Sequence, residues 1–324
     1  METEGNCKPE DGLLRPTGQA PVSCHLGCIT MRDETCYLIS DNGSYRPEAT
    51  LSLRRLADRL GSRVGKTVHP VSLLHSTRIP VDQLDSIAAE IFEPFVIKKL
   101  EEGVRRFHVT PLFFGPSAAI LEYMPQRVEV LRASWPDLEV RISPCLVNPE
   151  EAEDERMANI LIDHIETARE QRGFKTPSVA LVDHGAPRIK VTEVRNHLAG
   201  QLRHLLQEGD FPVVTACSME RRDGDEYAFN EPLLERVIGS AGFEKEVIVS
   251  MLFASPGRHA GPGGDVAKIC EEATGSRPEL EWQMTELVAS HDGIIDLLAS
   301  RFEEGVASEP VSWEGEIPNW EPPK

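Results

Sequence analysis

The feature that most constrains the fold of this 324-residue chain is a pattern that occurs twice. Short apolar runs rich in β-branched residues, typical of buried strands, alternate with segments whose leucines recur at helical spacing. Four strands are predicted in the first half, at Cys36–Asp41, Val68–Leu74, Phe107–Phe114 and Leu138–Ser143, and four in the second, at Val179–Asp183, Val213–Met219, Val247–Phe253 and Leu280–Thr285. Because strands that alternate with helices favour a parallel sheet with right-handed crossovers, we predict an α/β fold in each half.

The two halves align at a nearly constant separation, which indicates an internal repeat. The aligned pairs are Ile39 with Leu181, His75 with Glu220, Ala119 with His259, and Leu138 with Leu280, at separations of 142, 145, 140 and 142 residues. We therefore expect two similar, doubly wound domains, each built on a parallel four-stranded sheet, with a cleft between their carboxyl edges.

The same pattern divides the chain into segments. We expect a flexible leader at residues 1–33, a first lobe at 34–148, a connecting helix at 149–175, a second lobe at 176–305 and a disordered tail at 306–324. The principal helices are predicted at Glu48–Leu60, Asp82–Glu102, Pro149–Arg172 and Gly293–Glu304. A further helix follows the strand Phe107–Phe114 and is predicted to end at about Arg132.

Composition and charge argue against several classes of protein. No apolar run approaches the roughly 20 residues that span a bilayer, and the acidic amino terminus lacks the features of a signal peptide, so we expect a cytoplasmic protein with no membrane contact. The net charge of −19 argues against a nucleic-acid-binding surface. Gly261-Pro-Gly-Gly264 lacks the Lys-Ser/Thr of a phosphate loop, so no nucleotide site is expected. Nothing in the sequence indicates the oligomeric state.

Seven cysteines, an odd number scattered through a large chain, are typical of reduced intracellular thiols. The alternative is a small metal site in which Cys24-His25-Leu-Gly-Cys28 joins Cys7 or Cys36, although the spacing matches no zinc pattern well.

Three predicted strands of the second half lead to polar side chains that carry chemistry: His184, Glu220 and His259. If the strands are parallel neighbours, these side chains emerge at the carboxyl edge of one sheet, where open α/β folds bind their ligands. Two imidazoles and a carboxylate there can hold a divalent metal or move protons. The aligned positions of the first half hold Asn42, His75 and Ala119. We therefore place the candidate site in the second half.

The motifs around these residues are Leu181-Val-Asp-His-Gly-Ala-Pro-Arg188, Ser218-Met-Glu220 and Met251-Leu-Phe-Ala-Ser-Pro-Gly-Arg-His259. Together they resemble the class II tetrapyrrole chelatases, the sirohydrochlorin ferrochelatases and cobaltochelatases, over about residues 36–304. Pro111-Leu-Phe-Phe-Gly-Pro-Ser-Ala-Ala119 is similar to the family's third strand without its histidine. The chain departs from the family pattern at Ala186, where Ser is usual, at Met251, where Pro is usual, and at Gly261-Pro-Gly-Gly264 after the histidine.

The resemblance implies two chelatase-like lobes with a tetrapyrrole bound between them. A divalent metal (Fe²⁺ or Co²⁺, with Ni²⁺ as a further candidate) would be inserted as a substrate, without ATP or an organic cofactor, for siroheme or cobalamin synthesis. Carried over by position, His184 and His259 would be the imidazoles that handle the metal and accept protons, and Glu220 would be their carboxylate partner and a further metal ligand. Neutral imidazole suits both tasks, because its ordinary pKa is near 6.5.

Sirohydrochlorin carries many carboxylates, so a cleft that binds it should present cations and close backbone approaches. The substrate-binding candidates are Arg188, Arg221, Arg222, Arg258, Gly185 and Gly257. Several alternatives stay open: each arginine is equally well a surface charge, His75 either faces the cleft or caps a turn, and Asp265 is a candidate cap of the following helix. The protein as a whole is alternatively a non-catalytic tetrapyrrole- or metal-binding protein on the same scaffold.

Overall fold

The computed structural model describes residues 32–207, 209–275 and 277–317, whose strands form two sheets. The first sheet contains β1 (Arg32–Ser40), β2 (Val68–Ser72), β3 (Glu90–Ile91), β4 (Val104–Pro111) and β5 (Glu139–Ile142), in the order β3-β2-β1-β4-β5. The second contains β6 (Ser178–Asp183), β7 (Val214–Ser218), β8 (Glu246–Met251) and β9 (Glu281–Met284), in the order β7-β6-β8-β9. All of these strand pairs are parallel, so the predicted α/β fold with parallel sheets is confirmed.

Helices connect the strands. They are α1 (Pro47–Val64), α2 (Phe92–Glu101), α3 (Met124–Arg132), α4 (Arg156–Arg172), α5 (Ile189–Leu205), α6 (Leu234–Val237), α7 (Asp265–Gly275) and α8 (Gly293–Val306). Helix α1 shows how the sequence specifies them: a proline opens its first turn, Leu53, Leu56 and Leu60 bury one face, and Gly65 ends it with a φ of 65°.

The predictions of a long helix at Asp82–Glu102 and of a four-stranded first sheet were wrong. Asp85 and Ser86 have φ values of 55° and 62°, which no right-handed helix contains, so the regular helix in this stretch is α2 alone. The extended pair Glu90–Ile91 instead adds β3 to the edge of β2, and the first sheet has five strands. Apolar spacing predicted the helical residues but could not show where the backbone turns away.

The connecting helix packs against the second sheet, whereas the last helix crosses from the second sheet, which precedes it in sequence, to the first. Helix α4, which begins at Arg156 and not at Pro149 as predicted, packs against β8 and β9. Helix α8 packs against β4 and α1, although the boundaries drawn from the sequence place it with the second lobe. A single hydrophobic core joins residues of both halves, among them the fully buried Ile39, Leu181 and Leu298. The two sheets are therefore built as one packed unit.

The carboxyl-terminal segment 306–324, expected to be disordered, is ordered in part. The backbone N–H of Val311 donates to the carbonyl of Val140 at 2.8 Å, and Arg132 Nη2 donates to the carbonyl of Val311 at 2.7 Å. The first of these bonds satisfies a carbonyl of β5, which is an edge strand of its sheet, and the second joins the segment to α3. Residues 318–324 lie outside the described residues.

Most of the expected leader also lies outside the described residues, and with it the candidate metal ligands Cys7, Cys24, His25 and Cys28. The first strand of the described residues is β1, which begins at Arg32. Of the cysteines that the structure describes, Cys145, Cys217 and Cys270 are free thiols. None of the described helices is both long enough and apolar enough to cross a membrane.

Candidate functional site

The turn that carries His184 is fixed by the end of β6. The Asp183 carboxylate accepts a hydrogen bond from Gly185 N at 3.2 Å, and the Asp183 carbonyl accepts one from Met219 N at 2.8 Å. Gly185 has a φ of 94°, and a Cβ at this position would overlap the carbonyl of Glu220. Gly185 thus shapes the backbone that presents His184, because no other residue fits so close to the neighbouring strand end.

A buried polar network lies beneath this turn. Arg195 from α5, with a side chain only 1% exposed, donates to Asp183 Oδ1 at 3.4 Å, to Ser218 Oγ and to the carbonyl of Asn230 at 3.2 Å. The fully buried Asn230 amide in turn binds both backbone groups of Ala186, at 2.9 and 3.0 Å. Buried polar groups that satisfy one another rigidify their surroundings, so the turn after His184 is held from below.

The structure brings the three predicted side chains together at the carboxyl edge of the second sheet. His184 Nε2 lies 3.2 Å from Glu220 Oε1, and the rings of His184 and His259 have centroids 4.5 Å apart. The site is open to solvent: the side chains of His184 and Glu220 are 48% and 60% exposed, and that of His259 is 28% exposed. Two imidazoles and a carboxylate therefore share one accessible surface.

A fourth residue, Asp265, belongs to this group and was missed as a functional residue. Its Oδ2 lies 2.8 Å from His259 Nδ1, and its other oxygen accepts a hydrogen bond from Lys268 at 3.1 Å. The sequence interpretation as a helix cap accounted only for its position at the start of α7. Its place at the end of the Gly-rich loop after His259 was the available signal. These contacts, with Lys268 first, lower the pKa of the Asp265 carboxyl, so it is a carboxylate at neutral pH.

The electrostatics of the site favour a neutral His184. Desolvation lowers the pKa of its imidazole, the neighbouring His259 lowers it further, and Glu220 opposes both by raising it. A lowered pKa keeps the imidazole free to accept a proton or bind a metal at neutral pH.

The cluster is not a ready-made metal cage. No group of three or more His, Cys, Asp or Glu residues within the described ranges is arranged to hold a metal ion. His184 is paired with Glu220, whereas His259 is paired with Asp265, so the expected ligand set His184, Glu220 and His259 converges without closing around one point. A groove of about 250 Å³ beside Arg54 and His69 lies on the first sheet and contains none of these side chains.

The arginines proposed to bind substrate differ in how strongly they are engaged. Arg188 forms an ion pair with Glu122, Arg221 donates to Glu231 at 2.9 Å, Arg222 lies over the ring of Tyr227 at 5.8 Å, and Arg258 lies 3.4 Å from Asp265 and is mostly exposed. The loop that carries Arg258 and His259 is closed by a hydrogen bond from Gly257 N to the carbonyl of Ala260 at 3.1 Å. Arg188, Arg222 and Arg258 are thus the more accessible cations at this edge.

The end of β1 in the first sheet has the same turn without the histidine. Asp41 accepts a hydrogen bond from Gly43 N at 3.0 Å, and Gly43 has a φ of 87°. Leu74 N donates to the carbonyl of Asn42 at 3.2 Å, as Glu220 N does to the carbonyl of His184 at the same distance. Leu74, and not His75, is therefore the structural counterpart of Glu220, so the alignment drawn from the sequence was displaced by one residue at this point.

His75 occupies a strained turn beside that position. Its φ and ψ are 68° and −41°, and Ser76 N donates across it to the carbonyl of Leu74 at 2.8 Å, which defines a classical γ-turn, a rare conformation for a side-chain-bearing residue. Its Nδ1 lies 3.0 Å from the hydroxyl of Tyr45. Desolvation and then Arg78 lower the pKa of His75. Such a backbone conformation stores strain in the folded state.

Comparison with solved structures finds similar chains with TM-scores above 0.5. SirB from Bacillus subtilis with Fe³⁺ is 13% identical and has a TM-score of 0.61, and the match covers 85% of this chain and 96% of SirB. The sirohydrochlorin chelatase SirB from Bacillus subtilis subspecies spizizenii in complex with cobalt is 12% identical, with a TM-score of 0.58 and coverage of 84% and 95%. DR2241 from Deinococcus radiodurans, a multi-domain protein with structural similarity to chelatases, is 13% identical, with a TM-score of 0.54 and coverage of 86% and 56%.

These likenesses define a chelatase-like α/β fold for residues of both halves of the chain. At 12–13% identity they establish the fold and not the activity. No protein-family model matches the sequence, and no curated protein matches it.

Proposed function

We propose that this protein is a metal chelatase that inserts a divalent metal, Fe²⁺ or Co²⁺, into sirohydrochlorin or a related tetrapyrrole, without ATP, for siroheme or cobalamin synthesis. The observation that carries the proposal is the convergence of two imidazoles, each paired with a carboxylate, at the carboxyl edge of a parallel sheet. The chelatase-like fold and the sirohydrochlorin chelatase among its structural neighbours support it. The matching strand orders of the two sheets and their shared turn geometry support a duplicated chain with a binding cleft between the lobes.

The chemistry of insertion requires that two pyrrole N–H protons leave the macrocycle as the metal enters. His259 is suited to accept one of them: when its Nδ1–H donates to Asp265, its Nε2 keeps a lone pair, and Asp265 stabilises the imidazolium that results. His184 beside Glu220 forms the second such pair and can accept the other proton. Two imidazole–carboxylate pairs thus match two protons.

The metal is a substrate and must be held only briefly. An imidazole nitrogen and a carboxylate oxygen are ligands that Fe²⁺ and Co²⁺ accept. Because the described residues form no closed set of three ligands, these side chains would leave coordination positions open for water and for the pyrrole nitrogens. Such an arrangement favours transfer over storage. Arg188, Arg222 and Arg258 supply guanidinium groups for the acid side chains of the macrocycle.

The proposal is tested by mixing the protein anaerobically with sirohydrochlorin and Co²⁺ or Fe²⁺ and following the absorbance spectrum. We expect His259→Ala to abolish insertion and Asp265→Asn to slow it by about 10–100-fold, since a carboxylate that orients an imidazole typically contributes this much. His204→Ala, at an exposed position near the far end of α5, is the matched control and should insert metal normally.

A rate no higher than the spontaneous background with both metals would end the enzymatic proposal, as would full activity of His259→Ala. The alternative is a non-catalytic tetrapyrrole- or metal-binding protein on the same scaffold. That alternative predicts saturable tetrapyrrole binding with no acceleration of metal insertion.

A further inference from the structure

An ion pair connects the segments that follow strands of the two different sheets. Arg188 ends the turn that begins at His184 and lies at the amino end of α5, and its Nη2 donates to Glu122 Oε1. Glu122 belongs to the π-helix Ala119–Tyr123, which follows the loop after β4. Nearby, Gly115 approaches Val194 of α5 so closely that a Cβ on Gly115 would overlap that side chain. The two carboxyl-edge segments therefore meet here.

The position of Glu122 is set by an irregular helix with a clear cause. Met124 N donates to the carbonyl of Ala119, five residues back, which is the bond of a π-helix. Pro125 has no N–H to donate to Leu121, and its ring would crowd that carbonyl, so the chain widens by one residue before α3 begins. Single-turn π-helices of this kind recur at functional sites.

The pair contributes little to the stability of the fold. The side chains of Arg188 and Glu122 are 41% and 38% exposed, and an ion pair with this much solvent contact is easily exchanged. An arginine fork binds any carboxylate in the same geometry. A carboxylate on a ligand can therefore take the place of Glu122 on Arg188 at small net cost.

We propose that Glu122 is an internal competitor for a carboxylate-binding subsite on Arg188, which a polycarboxylated tetrapyrrole must displace in order to bind. This inference rests on the proposed function for the class of ligand and assigns a residue that sets its affinity. Glu122 closes the subsite when no ligand is present and disfavours macrocycles that have no acid group to offer in exchange.

The test measures binding of metal-free uroporphyrin, which bears acid side chains on every ring, by quenching of its fluorescence. Glu122→Gln should tighten binding by about two- to fivefold, the range expected from removing a competitor in an exposed ion pair. Arg188→Gln should weaken binding, and Glu122→Gln should have no further effect in the Arg188→Gln background. Asp292→Asn is the control, because it removes the same charge from another exposed pair, with Arg59 at 2.7 Å, and should leave the affinity unchanged.

Unchanged or weaker binding by Glu122→Gln would overturn the inference, as would an equal gain in Asp292→Asn or a gain that persists without Arg188. Failure of the unmodified protein to bind uroporphyrin would overturn it as well. The assay contains no metal, so its outcome is separate from that of the insertion assay. A protein that shows this pattern but inserts no metal would lose the proposed chelatase activity and keep the subsite.

Discussion

Arg195→Leu tests whether the buried network beneath His184 determines the stability of the second half. The guanidinium is almost fully buried and donates to Asp183, to Ser218 and to the carbonyl of Asn230. Leucine occupies the interior without donating, so it leaves the Asp183 carboxylate buried and unpaired. Removing one partner of a buried ion pair typically costs about 3–5 kcal/mol. Because Ser218 Oγ still donates to Asp183 at 2.6 Å, we expect the lower end, about 3 kcal/mol near neutral pH.

The first half contains a natural version of this substitution. Helices α1 and α5 begin 142 residues apart, and at that separation Leu53 stands where α5 has Arg195. Among the described residues no arginine pairs with Asp41, the counterpart of Asp183, and desolvation raises the pKa of Asp41. A carboxyl with a raised pKa in the folded state binds a proton more tightly than in the unfolded chain. The deficit caused by Arg195→Leu should therefore shrink as the pH falls, because the unpaired carboxyl becomes neutral.

The assay is urea unfolding of both proteins at several pH values, with the free energy of unfolding from linear extrapolation. Arg203→Leu is the control on the same helix, because Arg203 only donates to the carbonyl of Val214 at 2.9 Å from a more exposed position. Adding Asp183→Asn to Arg195→Leu should recover most of the loss, since no buried charge remains. A deficit below about 1 kcal/mol, or one that grows as the pH falls, would refute the reasoning.

Two further predictions concern the two carboxyl edges. His75→Gly should raise the free energy of unfolding by about 1 kcal/mol, because glycine adopts the positive φ of the γ-turn without strain. The control His204→Gly, in the last turn of α5, relieves no strain and should give no such gain. A loss of stability in His75→Gly, measured by urea unfolding, would contradict the strain argument. Desolvation and His259 lower the pKa of His184, and the Glu220 charge raises it. Glu220→Gln removes the raising effect, so the acid limb of the pH profile of the insertion rate should move to lower pH. An unmoved limb would show that His184 is not the group that titrates.

The strands and their parallel arrangement could be predicted from sequence because their signal is local. A run such as Val247-Ile-Val-Ser-Met251 is apolar on both faces, as a strand covered by helices must be, and it forms β8 where expected. The meeting of His184 with Glu220 followed from the same logic, since parallel neighbours end at one edge. The roles of these two residues stay a prediction.

What the sequence could not supply are relations between distant segments. The crossing of α8 to the first sheet depends on which of two apolar surfaces it covers, and its own pattern of leucines suits either. The pair Arg188–Glu122 joins residues far apart in the chain whose charges are individually unremarkable. The alignment was displaced by one residue because the sequence comparison paired His75 with Glu220 by the chemistry of their side chains. The backbone hydrogen bond from Leu74 to Asn42 shows that Leu74 is the structural counterpart of Glu220.

The differences between the halves separate what the fold requires from what the proposed chemistry requires. Both strand ends keep an aspartate that binds a glycine N–H two residues on, because without it the tight turn would leave a backbone donor unpaired. The side chain between them is free to vary, and it is Asn42 in one half and His184 in the other. Arg195 belongs to what the proposed chemistry requires, because the first half forms the same turn with Leu53 at the equivalent position. The first half forms the same turn without a buried arginine, so Arg195 is explained by the need to hold rigid the turn that presents His184.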